Sequence, residues 1–134
     1  MDVETSSSSQ DTPVIQTYSD FWGFYVREHS KSATRVLHFA GTSIGILLLI
    51  FFIATGLWFW IPLCFIAGYA FAWFAHFVVE KNKPATFKYP LWSFISDYKM
   101  MWYMITGRMD AEIKRVVGTR AYGRDTAASN SLHQ

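Results

Sequence analysis

Three histidines, His29, His38 and His76, are the residues of this 134-residue chain that are best suited to metal chemistry. Imidazole nitrogens bind iron, zinc and copper, and a site with three of them keeps coordination positions open for substrate and oxygen. The fourth histidine, His133, lies in the last residues of the chain, so the many-histidine box of a di-iron membrane hydroxylase cannot be assembled. The histidines therefore predict a mononuclear centre, if the chain brings the three rings together.

Two acidic residues are candidates to support or join these histidines. Glu80 follows His76 by four residues, so the two share one face of a helix. There Glu80 could bind the metal or hold an imidazole tautomer, and a solvated helix end is an equally good interpretation. Asp97 could also hydrogen-bond a ligating histidine, or it could simply pair with Lys99 or Lys83.

The composition is typical of a membrane protein rather than of a soluble domain. Hydrophobic residues make up 51% of the chain and charged residues only 16%, against about 25% charged in an average soluble domain. Residues 39–79 contain no Asp, Glu, Lys or Arg, and this stretch is about twice as long as one membrane-spanning helix. Gly56 and Pro62 bracket a tryptophan-containing segment in its middle. We therefore expect a hairpin of two transmembrane helices, over about 39–57 and 62–79.

Small residues on both expected spans favour close packing of the two helices in lipid. They are Gly41 and Gly45 on the first span and Gly68 and Ala72 on the second. His38 and His76 fall on the same helix faces as these small residues, at the end of the hairpin where the chain enters and leaves. His29 can join them if the residues before the first span fold back over that end.

Shorter helices are expected on both sides of the hairpin. Ser19–Asp20 can cap an amphipathic helix that lies along the membrane surface. A helix rich in aromatic residues and methionine, over about 91–106, is typical of an interfacial or re-entrant segment, and a third crossing stays open. We expect a membrane domain of residues 19–117 between a disordered leader, 1–18, and a disordered tail, 118–134.

Basic residues mark only one side of the expected hairpin. Those before the first span are Arg27, Lys31 and Arg35, and those after the second are Lys81, Lys83 and Lys88. By the positive-inside rule both termini are cytoplasmic. The net charge of +2 is too small to indicate a nucleic-acid partner. The single cysteine, Cys64, excludes a disulfide within the chain and a cysteine-ligated metal cluster.

Taken together, these residues resemble the membrane 2-hydroxy fatty acid (2-hydroxypalmitate) dioxygenase-like family, formerly a domain of unknown function. The motifs that carry the resemblance are Tyr25-x-x-x-His29, His38-x-x-Gly41-Thr42 and Gly68-Tyr69-x-x-Ala72-Trp73-x-x-His76-x-x-x-Glu80-x-Asn82-x-Pro84-Ala85. The resemblance covers about residues 20–110. One departure is Thr34, where the fungal branch tends to have Asn, so this chain looks more like the shorter branch of the family.

The resemblance implies an all-α integral membrane enzyme of fatty acid α-oxidation and sphingolipid metabolism. Such an enzyme uses Fe(II) and dioxygen to convert a 2-hydroxy long-chain fatty acid to the acid one carbon shorter, and His29, His38 and His76 would be its iron-associated residues. Basic residues that could steer the substrate carboxylate are Lys81, Lys83 and Arg35. The host membrane would be the endoplasmic reticulum in a eukaryote or the plasma membrane in a bacterium, and homo-oligomer formation stays open.

Two other classes of function stay open at this point. A bis-histidine haem between His38 and His76 would make the chain an electron carrier, although such sites commonly lie within four-helix bundles. A non-catalytic membrane hairpin that organises lipids or partner proteins is the other class. In that class the histidines would tolerate replacement.

Overall fold

The computed structural model describes residues 14–118, which fold into helices and turns without a strand in that range. The α-helices in chain order are α1 (Tyr18–Glu28), α2 (Ser32–Thr55), α3 (Pro62–Phe74), α4 (Pro90–Ile105) and α5 (109–118). Other helix types form a 3₁₀ turn at Trp58–Trp60, a π-helical continuation of α3 at Ala75–Glu80 and a 3₁₀ turn at Ala85–Phe87. Most of the expected leader and tail lies outside the described residues.

Two helices of the described part are long and apolar enough to cross a membrane, α2 with 24 residues and Trp58–Glu80 with 23. Only 17% and 22% of their most apolar stretches are buried within the protein, so most of this apolar surface faces outwards. Gly56, with φ 73°, ends α2 in the left-handed conformation that glycine adopts freely. The helix α2 begins before the expected span because its first turns are polar, and hydropathy marks only the apolar part.

Close contact between α2 and α3 depends on glycine. A Cβ atom added at Gly41 would lie 2.7 Å from the carbonyl oxygen of Gly68, and one at Gly45 would lie 3.1 Å from that of Cys64. Gly41 of α2 contacts Gly68 of α3, and the later residue Gly45 contacts the earlier residue Cys64. The two helices therefore run antiparallel. Gly68 is less constrained, because its nearest contact would be an ordinary 3.5 Å.

The helix α1 packs on α4 and α5 instead of presenting its apolar face to a membrane surface. Phe21 and Tyr25 are 0% and 1% exposed, and their cluster includes Met100 of α4 and Val116 of α5. This corrects the surface orientation expected from the sequence. The apolar stripe of α1 is buried because α4 and α5 supply a matching apolar surface within the same chain.

The first turn of α1 is capped by Thr17, so the expected cap at Ser19–Asp20 is wrong by about half a turn. The Thr17 hydroxyl oxygen lies 3.2 Å from the backbone nitrogen of Asp20, which donates to it. The same hydroxyl donates to the Asp20 carboxylate at 2.6 Å. A threonine three residues before an acidic residue resembles a capping box, and it outcompetes the serine inside the helix.

The helix α4 lies between α1 and the α2–α3 pair. On one side its Trp92 ring is 5.5 Å from the ring of Phe21 in α1. On the other side its Phe94 ring is 6.1 Å from the ring of Phe65 in α3. It is not one of the two helices that are long and apolar enough to cross a membrane. Its position brings Asp97 to the end of the pair that carries the histidines.

Candidate metal centre

Three elements each contribute one histidine to a common point. His29 is the C-cap of α1, His38 lies near the start of α2, and His76 lies in the π-helical continuation of α3. Ring nitrogens of all three lie within 4.8 Å of one another. The residues are 1%, 5% and 2% exposed. The convergence that the sequence predicts is present, and the cluster could hold a metal ion.

The Nδ1 atom of each imidazole contacts a different oxygen. The pairs are His29 with the Tyr25 carbonyl oxygen (2.7 Å), His38 with Asp97 Oδ1 (3.2 Å) and His76 with Asn82 Oδ1 (2.8 Å). The carbonyl and the carboxylate can only accept hydrogen bonds. The Asn82 amide is oriented by its Nδ2, which donates to Glu28 Oε2 at 2.7 Å, so its oxygen accepts as well. Each Nδ1 is therefore assigned the hydrogen of its imidazole.

These tautomers leave the three Nε2 atoms unprotonated. The Nε2 atoms of His29 and His38 lie 3.1 Å apart, a distance at which two lone pairs need a positive charge near them. Burial, aided by the other two histidines, holds the pKa of His29 well below its ordinary value, so the His29 ring favours its neutral form. Metal-binding histidines in proteins are held in this way, through the other ring nitrogen. The donor set therefore fits a metal ion.

Thr34 adds a polar group whose hydrogen bonds are unfilled. Its Oγ1 is buried and finds no hydrogen-bond partner among the residues that the structure describes. Thr34 lies one helical turn before His38, so the two share a face of α2. Buried hydroxyls normally have a partner, and an oxygen of a bound ligand would provide one here.

Glu80, a candidate ligand or supporting residue from the sequence, is engaged elsewhere. Its Oε1 accepts a hydrogen bond from the backbone nitrogen of Lys31 at 2.9 Å, and the Lys31 ammonium donates to the Val79 carbonyl at 2.6 Å. The carboxylate thus lies at the N-terminus of α2, where unpaired N–H groups favour a negative charge. Glu80 fastens the turn before α2 to the end of the π-helical segment.

The basic residues expected to steer a carboxylate are placed in two different ways. Lys81 and Lys83 are exposed at the surface. Arg35 donates through Nη1 to the carbonyl oxygens of His29 at 3.0 Å and Ser30 at 2.6 Å. Its guanidinium therefore stabilises the end of α1, where unpaired carbonyls accumulate.

Sequence reasoning gave no supporting role at the cluster to Asn82 or Tyr25. The Asn82 backbone nitrogen donates to the His76 carbonyl at 3.0 Å, which folds its side chain back to the ring. The Tyr25 hydroxyl donates to the Asp97 carboxylate, and the Tyr25 ring stacks on that of His29 with centroids 4.0 Å apart. Both residues stand in the motifs quoted above, which is the signal that could have found them.

A groove leads away from the histidines between α2, α3 and α4. It is partly open to the surroundings and leaves about 40 Å³ accessible to a water-sized molecule. His38 and Asp97 line it at the cluster, and Gly45 and Cys64 line it further along the α2–α3 pair. Between them the groove is lined by apolar side chains and by the hydroxyl-bearing residues Thr42, Tyr69 and Tyr98. One of the three clustered histidines, His38, therefore borders this groove.

No curated protein and no solved structure matches this chain. A family model described as 2-hydroxy-palmitic acid dioxygenase Mpo1-like matches residues 15–109. The matched range contains α1 to α4 and all three clustered histidines, and it confirms the resemblance drawn from the motifs. The chain therefore belongs to the Mpo1-like 2-hydroxy-palmitic acid dioxygenase family.

Proposed function

We propose that this protein is an iron(II)-dependent dioxygenase that converts a 2-hydroxy long-chain fatty acid to the acid one carbon shorter. The observation that carries the proposal is the cluster of three buried histidines, in which ring nitrogens of all three lie within 4.8 Å of one another. The Nδ1 atom of each ring is hydrogen-bonded to an oxygen. Family membership supports the substrate class. Imidazole donors with no thiolate among them suit Fe(II).

The proposed reaction balances in atoms and electrons without a further reductant. One 2-hydroxy acid and one dioxygen contain the atoms of the shortened acid, one carbon dioxide and one water. The carbon bearing the hydroxyl is oxidised to the new carboxyl group, the bond to the old carboxyl carbon breaks, and dioxygen accepts the four electrons. Bound iron would supply the oxygen chemistry, and the chain supplies orientation and a water-poor pocket.

The residues of the chain have separate tasks in this proposal. His29, His38 and His76 hold the iron. Asp97 and the Asn82 amide fix the orientation of the rings behind them. The unpaired Thr34 hydroxyl would accept or donate a hydrogen bond to an oxygen of the bound hydroxy acid.

We propose further that α2 and Trp58–Glu80 cross a membrane with both termini on the cytoplasmic side. Large apolar side chains on their outer faces support this, since Leu47 and Ile66 are 65% and 64% exposed. The basic residues that directly flank these two helices in the sequence lie at the histidine end. A 2-hydroxy acid could then keep its tail among lipids while its polar head reaches the cluster, in the endoplasmic reticulum or a bacterial plasma membrane.

Metal analysis combined with a turnover assay tests the function. We expect about one iron per chain after anaerobic purification, and conversion of 2-hydroxypalmitic acid to pentadecanoic acid with oxygen uptake. His38→Ala and His76→Ala should each remove iron and product. A double variant that lacks both rings, keeps stoichiometric iron and still forms product would refute the site.

A haem between His38 and His76 is disfavoured by the third ring. The centroid of His29 lies 4.4 Å from that of His38 and 4.6 Å from that of His76. The His38 and His76 centroids are themselves 5.1 Å apart. A planar macrocycle needs the space beside its iron that His29 fills. A Soret band in the purified protein would reverse this argument.

A further inference from the structure

The groove between α2, α3 and α4 has a direction that follows from the helix register. It is lined by His38 at one end and by Gly45 two helical turns later on α2, a rise of about 10 Å. Gly45 faces Cys64 of α3, which also lines the groove. A molecule anchored at the histidines would therefore extend along the helix pair towards Cys64.

The walls of the groove suit a hydrocarbon chain. Beyond His38 and Asp97, the lining contains no charged side chain. Gly41 and Gly45 line the groove with backbone, because α3 packs against both glycines too closely for a side chain. Phe94 of α4 covers the groove opposite them. Apolar side chains of this kind can contact a methylene chain along its length.

We propose that this groove binds the first part of the substrate's acyl chain, with the carboxyl end at the histidines and Cys64 at the far end. The inference rests on the proposed function for the identity of the head group. Its occupant follows from three features, namely the position of His38 at one end of the groove, the absence of charged side chains from the lining beyond His38 and Asp97, and the apolar outer faces of the helices beside it.

Cys64 makes the far end of the groove directly measurable. It is the only cysteine of the chain and is 5% exposed, so its alkylation by N-ethylmaleimide reports access to that end. The iron-loaded protein is kept anaerobic in detergent micelles, which prevents turnover. We expect 2-hydroxypalmitic acid at ten times its dissociation constant to slow alkylation about tenfold, because only the unoccupied protein reacts. The short 2-hydroxybutyric acid should leave the rate unchanged.

A matched cysteine distinguishes binding in the groove from general partition into the micelle. In the double variant Cys64→Ala/Ile66→Cys the thiol lies at an outward position that is 64% exposed. Its alkylation should not respond to 2-hydroxypalmitic acid. Equal slowing at both positions would overturn the proposal.

Filling the groove provides a second, independent readout. Cys64→Trp should raise the KM for 2-hydroxypalmitic acid about tenfold or more, since the indole occupies the volume meant for the chain. Leu63→Trp adds the same bulk at a neighbouring residue that is 40% exposed and is not part of the groove lining, and its KM should stay unchanged. A folded Cys64→Trp protein with a normal KM would contradict the assignment.

The outcomes separate this inference from the proposed function. If the protein binds iron and turns over substrate, but 2-hydroxypalmitic acid does not change the alkylation rate of Cys64, the groove assignment is overturned. The proposed dioxygenase function is then unaffected. Protection of Cys64 in a protein without iron or turnover would support the acyl groove and refute the dioxygenase.

Discussion

Tyr25 and Asp97 link two of the three imidazoles through side chains that touch no metal position themselves. The Tyr25 ring stacks on His29, and its hydroxyl donates to the Asp97 carboxylate that accepts from His38 Nδ1. A carboxylate behind an imidazole raises the basicity of the other nitrogen and fixes the direction of the ring. Iron affinity should therefore depend on the charge of Asp97 as well as on the histidines.

Replacing Asp97 by asparagine tests this dependence. Asp97→Asn keeps the size of the side chain and an acceptor oxygen but removes the charge, so iron affinity should fall by about 10 to 100-fold. Competition with a coloured iron chelator measures the change. Tyr25→Phe, which removes only the hydroxyl, should have a smaller effect in the same direction.

The same chemical change at Glu80 is the matched control. Because Glu80 binds the backbone nitrogen of Lys31, Glu80→Gln should leave iron affinity nearly unchanged. The weaker neutral hydrogen bond should lower the free energy of unfolding by about 1 kcal/mol, which thermal denaturation can detect. An iron loss as large as that of Asp97→Asn would show that Glu80 acts on the metal.

The protonation of His29 predicts how the stability of the metal-free protein depends on pH. Burial holds the pKa of His29 well below its ordinary value of 6.5, so the unfolded chain binds a proton that the folded chain rejects. Stability is complete above pH 6.5 and is lost as the pH falls below it, by up to about 1.4 kcal/mol per pH unit. Melting temperatures between pH 8 and 5 measure this. His29→Gln should reduce the slope, and an unchanged slope in that variant would assign the dependence to another group.

Among the helices, the contact between α2 and α3 decides whether His38 and His76 meet. The approach of the two backbones at Gly41 leaves no room for a side chain, since a Cβ would also lie 2.8 Å from Phe71 Cβ. His38 is one turn away on the same helix. The geometry of the histidine cluster therefore depends on the packing of the helix pair.

A single methyl group tests that link. Gly41→Ala forces α2 and α3 apart, so it should lower the free energy of unfolding by about 1 to 3 kcal/mol and weaken iron binding. Gly68→Ala adds the same methyl group at an ordinary contact distance of 3.5 Å and should change both properties little. Chemical denaturation and iron titration of the two variants give the comparison, and equal effects would show that the contact is misassigned.

The molecule as a whole has two unlike ends. The histidines lie at one end of the α2–α3 pair beneath α1 and α4, and the other end is the turn around Trp58–Trp60, where Phe59 is 86% exposed. In a membrane this arrangement would place the polar cluster near one interface. An amphipathic substrate has its polar head at the same depth.

Cysteine accessibility tests the orientation of the molecule in the membrane. In a Cys64→Ala background, Lys83→Cys should react with a membrane-impermeant maleimide added from the cytoplasmic side, and Phe59→Cys should react only from the opposite side. The reason is that basic residues flank only the histidine end. Labelling of both positions from one side would exclude a two-crossing hairpin.

Much of the architecture follows from local sequence patterns. Two long apolar stretches separated by Gly56 and Pro62 predict two apolar helices, and the structure places a helix end and a helix start at those residues. The three histidines could also be selected, because helix periodicity places two of them on the faces that carry small residues. Such patterns suffice because each helix is determined by residues close together in the chain.

The partners of the histidines, in contrast, were decided by the tertiary structure. Asp97 reaches His38 because α4 packs between α1 and the helix pair, and Asn82 reaches His76 because the chain turns back after the π-helical segment. Glu80 has the helical spacing of a supporting residue, yet its carboxylate lies at the N-terminus of α2. Helical spacing specifies which face a side chain is on. Which group it meets depends on how distant segments pack, and only the folded chain determines that.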